Sequence, residues 1–511
     1  MPSRGAVRVF TPMALDHSAD DSGLSRRDFL ERTAYAAGLA GATGLSADTI
    51  LTEAAQATTR FRPLPKPRNV PIDHFVLLMM ENRSYDHYFG WLRGYADGDQ
   101  TQRFPNPKGE LVATRHASTL GSGGVEWKGC GHPDPGHGWT SGRAQLNGGF
   151  LAEGSGNDEF ALCYYNRGEL GFIHEAARNY TLFDRYFCSI LAGTWPNRYY
   201  KWSAQSGGLK TNTLEPGGNS WETIFDRALA AGLTAKYYYS DLPFGLLFGN
   251  RATQWVAPIT QYYEDAAAGK LPNIAIVDPA YGNGSGSDGL SADEHPLGDV
   301  RLGQAFQADV VNAFTHSPNY RRGALFQIYD EWGGFFDHVR PPRVPDDRAS
   351  AIQSEDFGQL GFRVPAVAVS PYTRNRGVTQ KGRFGGWWFK PTWRVEHGTY
   401  AHESILSFIS YRFGLGFLNK RHKYANNIGH AFDFWGKTDF EPAELPDPPV
   451  ILTRPCALGG QDIEDSEESH ASDLAQLARV AEKRKVPVYE ATPDFIFQNP
   501  DTMKKAIAAA P

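Results

Sequence analysis

Phe75-Val76-Leu77-Leu78-Met79-Met80 runs without a break into Glu81-Asn82-Arg83-Ser84-Tyr85-Asp86-His87-Tyr88-Phe89-Gly90. Six apolar residues in a row, with no polar alternation, suit a strand buried on both faces, as in a parallel sheet covered by helices. A carboxylate and an amide follow where that strand stops. They place hard oxygen donors at the carboxyl end of the sheet, where open α/β proteins collect reactive groups.

Outward from this strand the same pattern recurs. His74 to Met80, Ala235 to Tyr239, Asn273 to Val277, Ala324 to Tyr329 and Val364 to Ser370 read as buried strands. Helical patterns over Trp221 to Ala231, Gly303 to Thr315 and His402 to Phe413 lie between them. The alternation predicts an α/β fold with a doubly wound, largely parallel central sheet and helices on both faces. Asp97 to Trp127 and Ala280 to Asp293, rich in Gly, Asn and Pro, read as loops around a site.

Composition narrows the function classes. A chain of 511 residues with 41% hydrophobic and 21% charged content can bury a large core and is not generally disordered. A net charge of -6 supplies no basic face, which sets nucleic acid aside as a partner. Cys130, Cys163, Cys188 and Cys456 form no C-x-x-C pair, which argues against a structural zinc cluster and leaves room for one or two disulfides.

Ser25-Arg26-Arg27-Asp28-Phe29-Leu30, a weakly apolar stretch from Ala34 to Ala47, and Ala55-Gln56-Ala57 resemble a twin-arginine signal with its cleavage site. The expected organisation is a signal over 1–57, a Pro-rich lead-in over 58–71, a catalytic domain over 72–440 and a C-terminal extension over 441–511. That extension carries an acidic run at Asp462 to Glu468 and a helical pattern from Asp501. The twin-arginine translocase is then a partner during export, and the site of action is secreted, periplasmic or associated with the cell wall. No other stretch approaches the ~20 apolar residues of a membrane span, so contact with lipid is expected to be peripheral.

Two further strand ends and helix starts carry chemistry. Tyr329 is followed by Asp330-Glu331, adjacent acids that repel unless a cation or proton intervenes. In Gly193-Thr194-Trp195-Pro196-Asn197-Arg198, Pro196 suits a first helical turn and leaves Thr194 near free N–H groups that attract phosphate. A threonine there that also touches a divalent cation loses its proton more readily and can attack phosphorus. Taken singly, each fragment also has a bland reading: a turn cap, a surface ion pair and an ordinary helix start.

Together these motifs resemble, in order, the bacterial non-specific phospholipase C and acid phosphatase family of phosphoesterases, within the alkaline-phosphatase-like superfamily. The resemblance includes Asp134-Pro135-Gly136-His137-Gly138-Trp139, Glu294-His295-Pro296, Arg363-Val364-Pro365 and Tyr400-Ala401-His402-Glu403-Ser404. It implies an alkaline-phosphatase-like fold and one divalent metal ion, whether calcium, manganese, iron or zinc, held by Glu81, Asn82, Thr194, Asp330 and Glu331. It also implies Thr194 as nucleophile, passing through a phospho-threonine, with His137 and His295 contacting the phosphoryl group; His338 and His402 fall in matching motifs as reserves. Thr194-Trp195-Pro196-Asn197-Arg198 is similar as well to the sulfatase signature, but a secondary alcohol cannot be oxidised to the sulfatase aldehyde.

The resemblance to the shorter actinobacterial enzymes favours a phospholipase C that splits phosphodiesters such as phosphatidylcholine into diacylglycerol and a phosphorylated head group. A broad-specificity acid phosphatase and a non-catalytic exported phospho-ligand binding protein are the alternatives. Phe384, Trp387, Trp388, Phe389 and Trp393, interleaved with Lys381, Arg383, Lys390 and Arg394, suit a lipid-water interface or an aromatic hairpin packed on the domain.

Overall fold

A computed structural model describes residues 63–121, 124–282, 291–381, 387–390, 392–456 and 470–498. The signal-like segment over 1–57, the acidic run and the pattern from Asp501 lie outside the described residues.

Eight strands form the central sheet: β1 (His74–Met80), β2 (Thr181–Phe183), β3 (Ala235–Tyr239), β4 (Val256–Pro258), β5 (Ile274–Asp278), β6 (Gly323–Tyr329), β7 (Ala366–Val369) and β8 (Arg394–Glu396). Their spatial order is β8-β2-β7-β6-β1-β5-β3-β4, so β1 lies inside the sheet between the fifth and sixth strands of the chain. Neighbours pair in parallel throughout except at β7, which runs against both β6 and β2. The sheet is the expected doubly wound one, with a single reversed strand. β2, β4 and β8 escape sequence reading because three residues are too few to show a period.

Helices cover both faces. Successive residues of a strand point to opposite sides. Phe326 meets Phe432, which stacks in turn on Phe408 of a helix over His402–Phe413. Next to it, Gln327 reaches the other way to Gln307 on a helix over Val300–Thr315. β1 is buried at every position after His74, and β6 is buried throughout, which explains their unbroken apolar sequence.

Cys130 and Cys456 form a disulfide, with Cα atoms 5.3 Å apart, while Cys163 and Cys188 are free and buried. In the aromatic segment, Val378–Lys381 pairs antiparallel with Trp387–Lys390, a hairpin; Arg383 and Phe384 lie outside the described residues. Among the described residues no helix is long and apolar enough to cross a membrane.

Candidate active site

The register of the sheet places the two acidic strand ends side by side. Met80 pairs with Tyr329, so Glu81 and Asp330 leave neighbouring strands at the same level. The Asp330 N–H donates to the Met80 carbonyl at 3.0 Å, and the Asn82 N–H donates to Asp330 Oδ1 at 3.2 Å. Asn82 has a φ of +58°, a left-handed conformation that Asn tolerates better than most residues. Gly333, at φ +61°, lies against the Asn82 main chain where a Cβ would collide with its carbonyl. Two tight turns thus interlock just beyond the sheet.

Thr194 is the first residue of α1 (Thr194–Ser203), a helix buried along its whole length. The loop before it is tied by Asn197, whose amide donates to the Ala192 carbonyl at 2.6 Å and the Gly193 carbonyl at 3.2 Å. Asn197 Oδ1 also accepts from the Ile190 N–H at 3.0 Å. One turn along, Arg198 connects the helix to the acids: its guanidinium lies 2.9 Å from Glu81, 3.0 Å from Asp278 and 3.2 Å from Asp330, every partner fully buried. Lys201 reaches the same Asp278 oxygen at 3.0 Å.

Charge in this interior is out of balance. Burial pushes the Glu81 carboxyl well above its usual range; Arg198 opposes this, while Asp330, Asp293 and Asp278 add to it. Asp330 is also raised by burial, against Arg198 and the N–H groups of Asn82 and Glu331, and burial pushes Asp293 up to about 7. Asp278 differs: burial opposes its ionisation, but Lys201 and Arg198 outweigh it and hold its carboxyl down. The remaining excess of carboxylates is what a divalent cation would offset. Asn82 Oδ1 fits that reading, being buried and accepting no hydrogen bond among the described residues.

His137 adjoins this group. Its Nδ1 must donate to the Pro135 carbonyl at 2.7 Å, which leaves Nε2 to accept from the Asn82 amide nitrogen at 3.4 Å. Burial lowers its pKa, consistent with a neutral ring. The same contact orients Asn82 so that Oδ1 points away from the histidine. His295 receives its backbone direction from Asp293, which accepts its N–H at 2.9 Å, and its ring centroid is 5.8 Å from that of His137. With Asp134 they form a trio whose ligand atoms lie within 4.8 Å of one another, enough to hold a metal.

The reserve histidines have structural partners. His402 Nε2 donates to the Asp330 carbonyl at 2.8 Å, and burial pushes its pKa down to about 3. His338 bonds Asp86 at 2.5 Å and Asp97 at 3.2 Å. Burial opposes its charge, yet those two carboxylates raise its pKa to about 10. Asp86, Asp337 and His338 are also close enough to hold a metal, and Arg363 stands among them, 2.9 Å from Asp337 and 3.2 Å from Asp86.

Sequence reasoning quoted Arg198, Asp134 and Glu294 without giving them roles, and missed Asp278, Lys201 and Asp293. A signal existed for two: Asp278 closes a predicted strand, and Lys201 follows Arg198 by three residues, on the same helix face. Glu294 is a purely internal anchor, accepting from Tyr88 and Tyr329 hydroxyls at 2.6 Å each.

A doubly wound sheet whose central strands end in buried acids, tied by Arg198 to the helix that starts at Thr194 and flanked by paired histidines, is the frame of an α/β hydrolase. Comparison with known proteins agrees with the geometry. The chain belongs to the Phosphoesterase family, which matches residues 72–416, and it is a hydrolase acting on phosphoric ester bonds. It is 30% identical over 391 residues to non-specific phospholipase C6 of Arabidopsis thaliana, covering 70% of this chain and 71% of that one. It is 29% identical over 476 residues to phospholipase C B of Mycobacterium tuberculosis, covering 79% and 83%. A crystal structure from the alkaline phosphatase superfamily of Vibrio parahaemolyticus aligns over 90% of this chain and 97% of that one, with 9% identity and a TM-score of 0.35.

Proposed function

We propose that the protein is an exported, metal-dependent phospholipase C that hydrolyses phosphodiesters such as phosphatidylcholine through a phospho-threonine. The observation that carries this reading is the bridge from Arg198 to Glu81 and Asp330, which ties the helix beginning at Thr194 to the acidic strand ends. The phospholipase C relatives at about the same length support the diester over the monoester.

Glu81, Asn82, Thr194, Asp330 and Glu331 would hold one divalent cation, which supplies charge that favours the Thr194 alkoxide and offsets the phosphoryl oxygens. Thr194 Oγ then attacks phosphorus in line, its proton passing to a neighbouring base, as the bond to the diacylglycerol oxygen breaks. That oxygen takes a proton from an imidazole that has just accepted the one from Thr194, for which His137 and His295 are the candidates. Water, deprotonated by the same imidazole, next attacks the phospho-threonine; the bond from phosphorus to Thr194 Oγ breaks, Oγ takes that proton, and the phosphorylated head group leaves. A neutral His137 suits the accepting half of this cycle.

Export rests on the twin-arginine pattern and is supported by the disulfide, since such bonds persist in oxidising compartments. The test is hydrolysis of p-nitrophenyl phosphorylcholine and p-nitrophenyl phosphate, with and without chelator, by the wild type and Thr194→Ala. Faster turnover of the diester, lost on chelation and in Thr194→Ala, is expected. Preference for the monoester overturns the substrate, and an active Thr194→Ala overturns the nucleophile.

A further inference from the structure

Residues 470–498 lie beyond the family match, yet they reach the start of the Thr194 helix. The Trp195 N–H, first in the chain after Thr194, donates to Asn212 Oδ1 at 2.8 Å. The same Asn212 uses its amide nitrogen to donate to Asp473 Oδ2 at 2.7 Å. Asp473 belongs to α2 (His470–Lys483) and is 6% exposed. Because an amide has one accepting and one donating end, Asp473 dictates which end of Asn212 faces Trp195. Without the carboxylate, only the Trp195 N–H is left to keep Asn212 from swinging away or turning its N–H2 towards that peptide.

A second path runs in parallel. Leu474, Leu477 and Ala481 of α2 are buried, and α2 packs on the turn Phe244–Phe248. Phe244 touches both ends of the first turn of α1, edge-on to Trp195 at 6.1 Å and beneath the Arg198 guanidinium at 5.8 Å. Downstream, the Tyr489 N–H donates to the Asp241 carbonyl at 3.2 Å, and the Tyr239 hydroxyl donates to the Pro487 carbonyl at 2.8 Å, fastening the segment to the end of β3.

We infer that Asp473 is a positioning residue for the hydrolytic reaction: through Asn212 it fixes the Trp195 peptide and thereby the orientation of Thr194 at the start of α1. The C-terminal segment is therefore a working part of the site. The inference rests on Thr194 being the nucleophile.

The experiment compares kcat and KM on p-nitrophenyl phosphorylcholine, and melting temperature, for full-length wild type, Asp473→Ala, Asp473→Asn, Asn212→Ala and Thr194→Ala. Misplacing a group beside the reacting atom costs roughly tenfold or more in rate. Asp473→Ala and Asn212→Ala are expected to lose kcat by about that factor with KM little changed. A variant carrying both Asp473→Ala and Asn212→Ala should lose no more than either single one, since both break the same relay. Asp473→Asn keeps an oxygen for Asn212 and should recover most of the rate. Asn212→Ala leaves α2 untouched and decides the matter if Asp473→Ala fails to fold. Wild-type kcat in Asp473→Ala or Asn212→Ala, beside an inactive Thr194→Ala, overturns the inference alone. Turnover by Thr194→Ala overturns the nucleophile beneath it.

Discussion

Replacing His338 with glutamine should destabilise the protein in a way that depends on pH. The imidazole gives both nitrogens to carboxylates, Asp86 at 2.5 Å and Asp97 at 3.2 Å, and its pKa rises from 6.5 to about 10. Such a displacement sets a ceiling of about 5 kcal/mol on the stabilisation. The side chain keeps 21% exposure, and solvent screening reduces the expected contribution to about 2–3 kcal/mol. Below pH 6.5 the ring is charged in both folded and unfolded chains, so the full amount is present. Between 6.5 and about 10 only the folded chain holds the proton, and the stabilisation drains away as pH rises. Urea unfolding of wild type and His338→Gln at pH 6, 8 and 10 measures this. The gap should be widest at pH 6 and should narrow towards pH 10. An equal gap at all three values, or none at pH 6, would refute a charged His338. Folded His338→Gln should retain its kcat, because the ring is spent on structure.

Arg198→Met should cost about 3–5 kcal/mol in urea unfolding, since it strands Glu81 and Asp330 without their buried cation and leaves Asp278 to Lys201 alone; a variant as stable as wild type would contradict the bridge. Gly333→Ala forces a left-handed alanine whose Cβ presses on the Asn82 carbonyl, so about 1–3 kcal/mol of stability and much of the activity should go together. Cys130→Ser with Cys456→Ser should lower stability by about 2–5 kcal/mol, read as a fall in melting temperature, and reduction of the wild type should match it.

Much of this was legible in the sequence, and the limits have physical causes. β1 and β3 are legible to the residue because each stops sharply at polar residues, Glu81-Asn82 after one and Ser240-Asp241 after the other. β7 was read as a strand, but its reversed direction was not, since direction is set by connections rather than by local pattern. The acids Glu81 and Asp330 stood out at strand ends. Asp278 follows a predicted strand in the same way but lies in no motif, and Asp293 ends a loop; what gives both significance is their place beside Arg198, which no spacing encodes. His338 and His402 stand in matching motifs only as reserves, and their carboxylate and carbonyl partners show what each ring holds. The Asp473 relay had no motif at all, joining three residues from separate parts of the chain.

Asn82 and Asp330 touch although 248 positions separate them, and their strands lie side by side at the centre of the sheet. Closing so long a loop is entropically costly and comes late in folding. A ribosome-bound chain therefore has only half of its acidic pair until residue 331 has emerged, and no fragment ending earlier can assemble this site. The hydrolase therefore stays inert until about two thirds of its 511 residues have been joined.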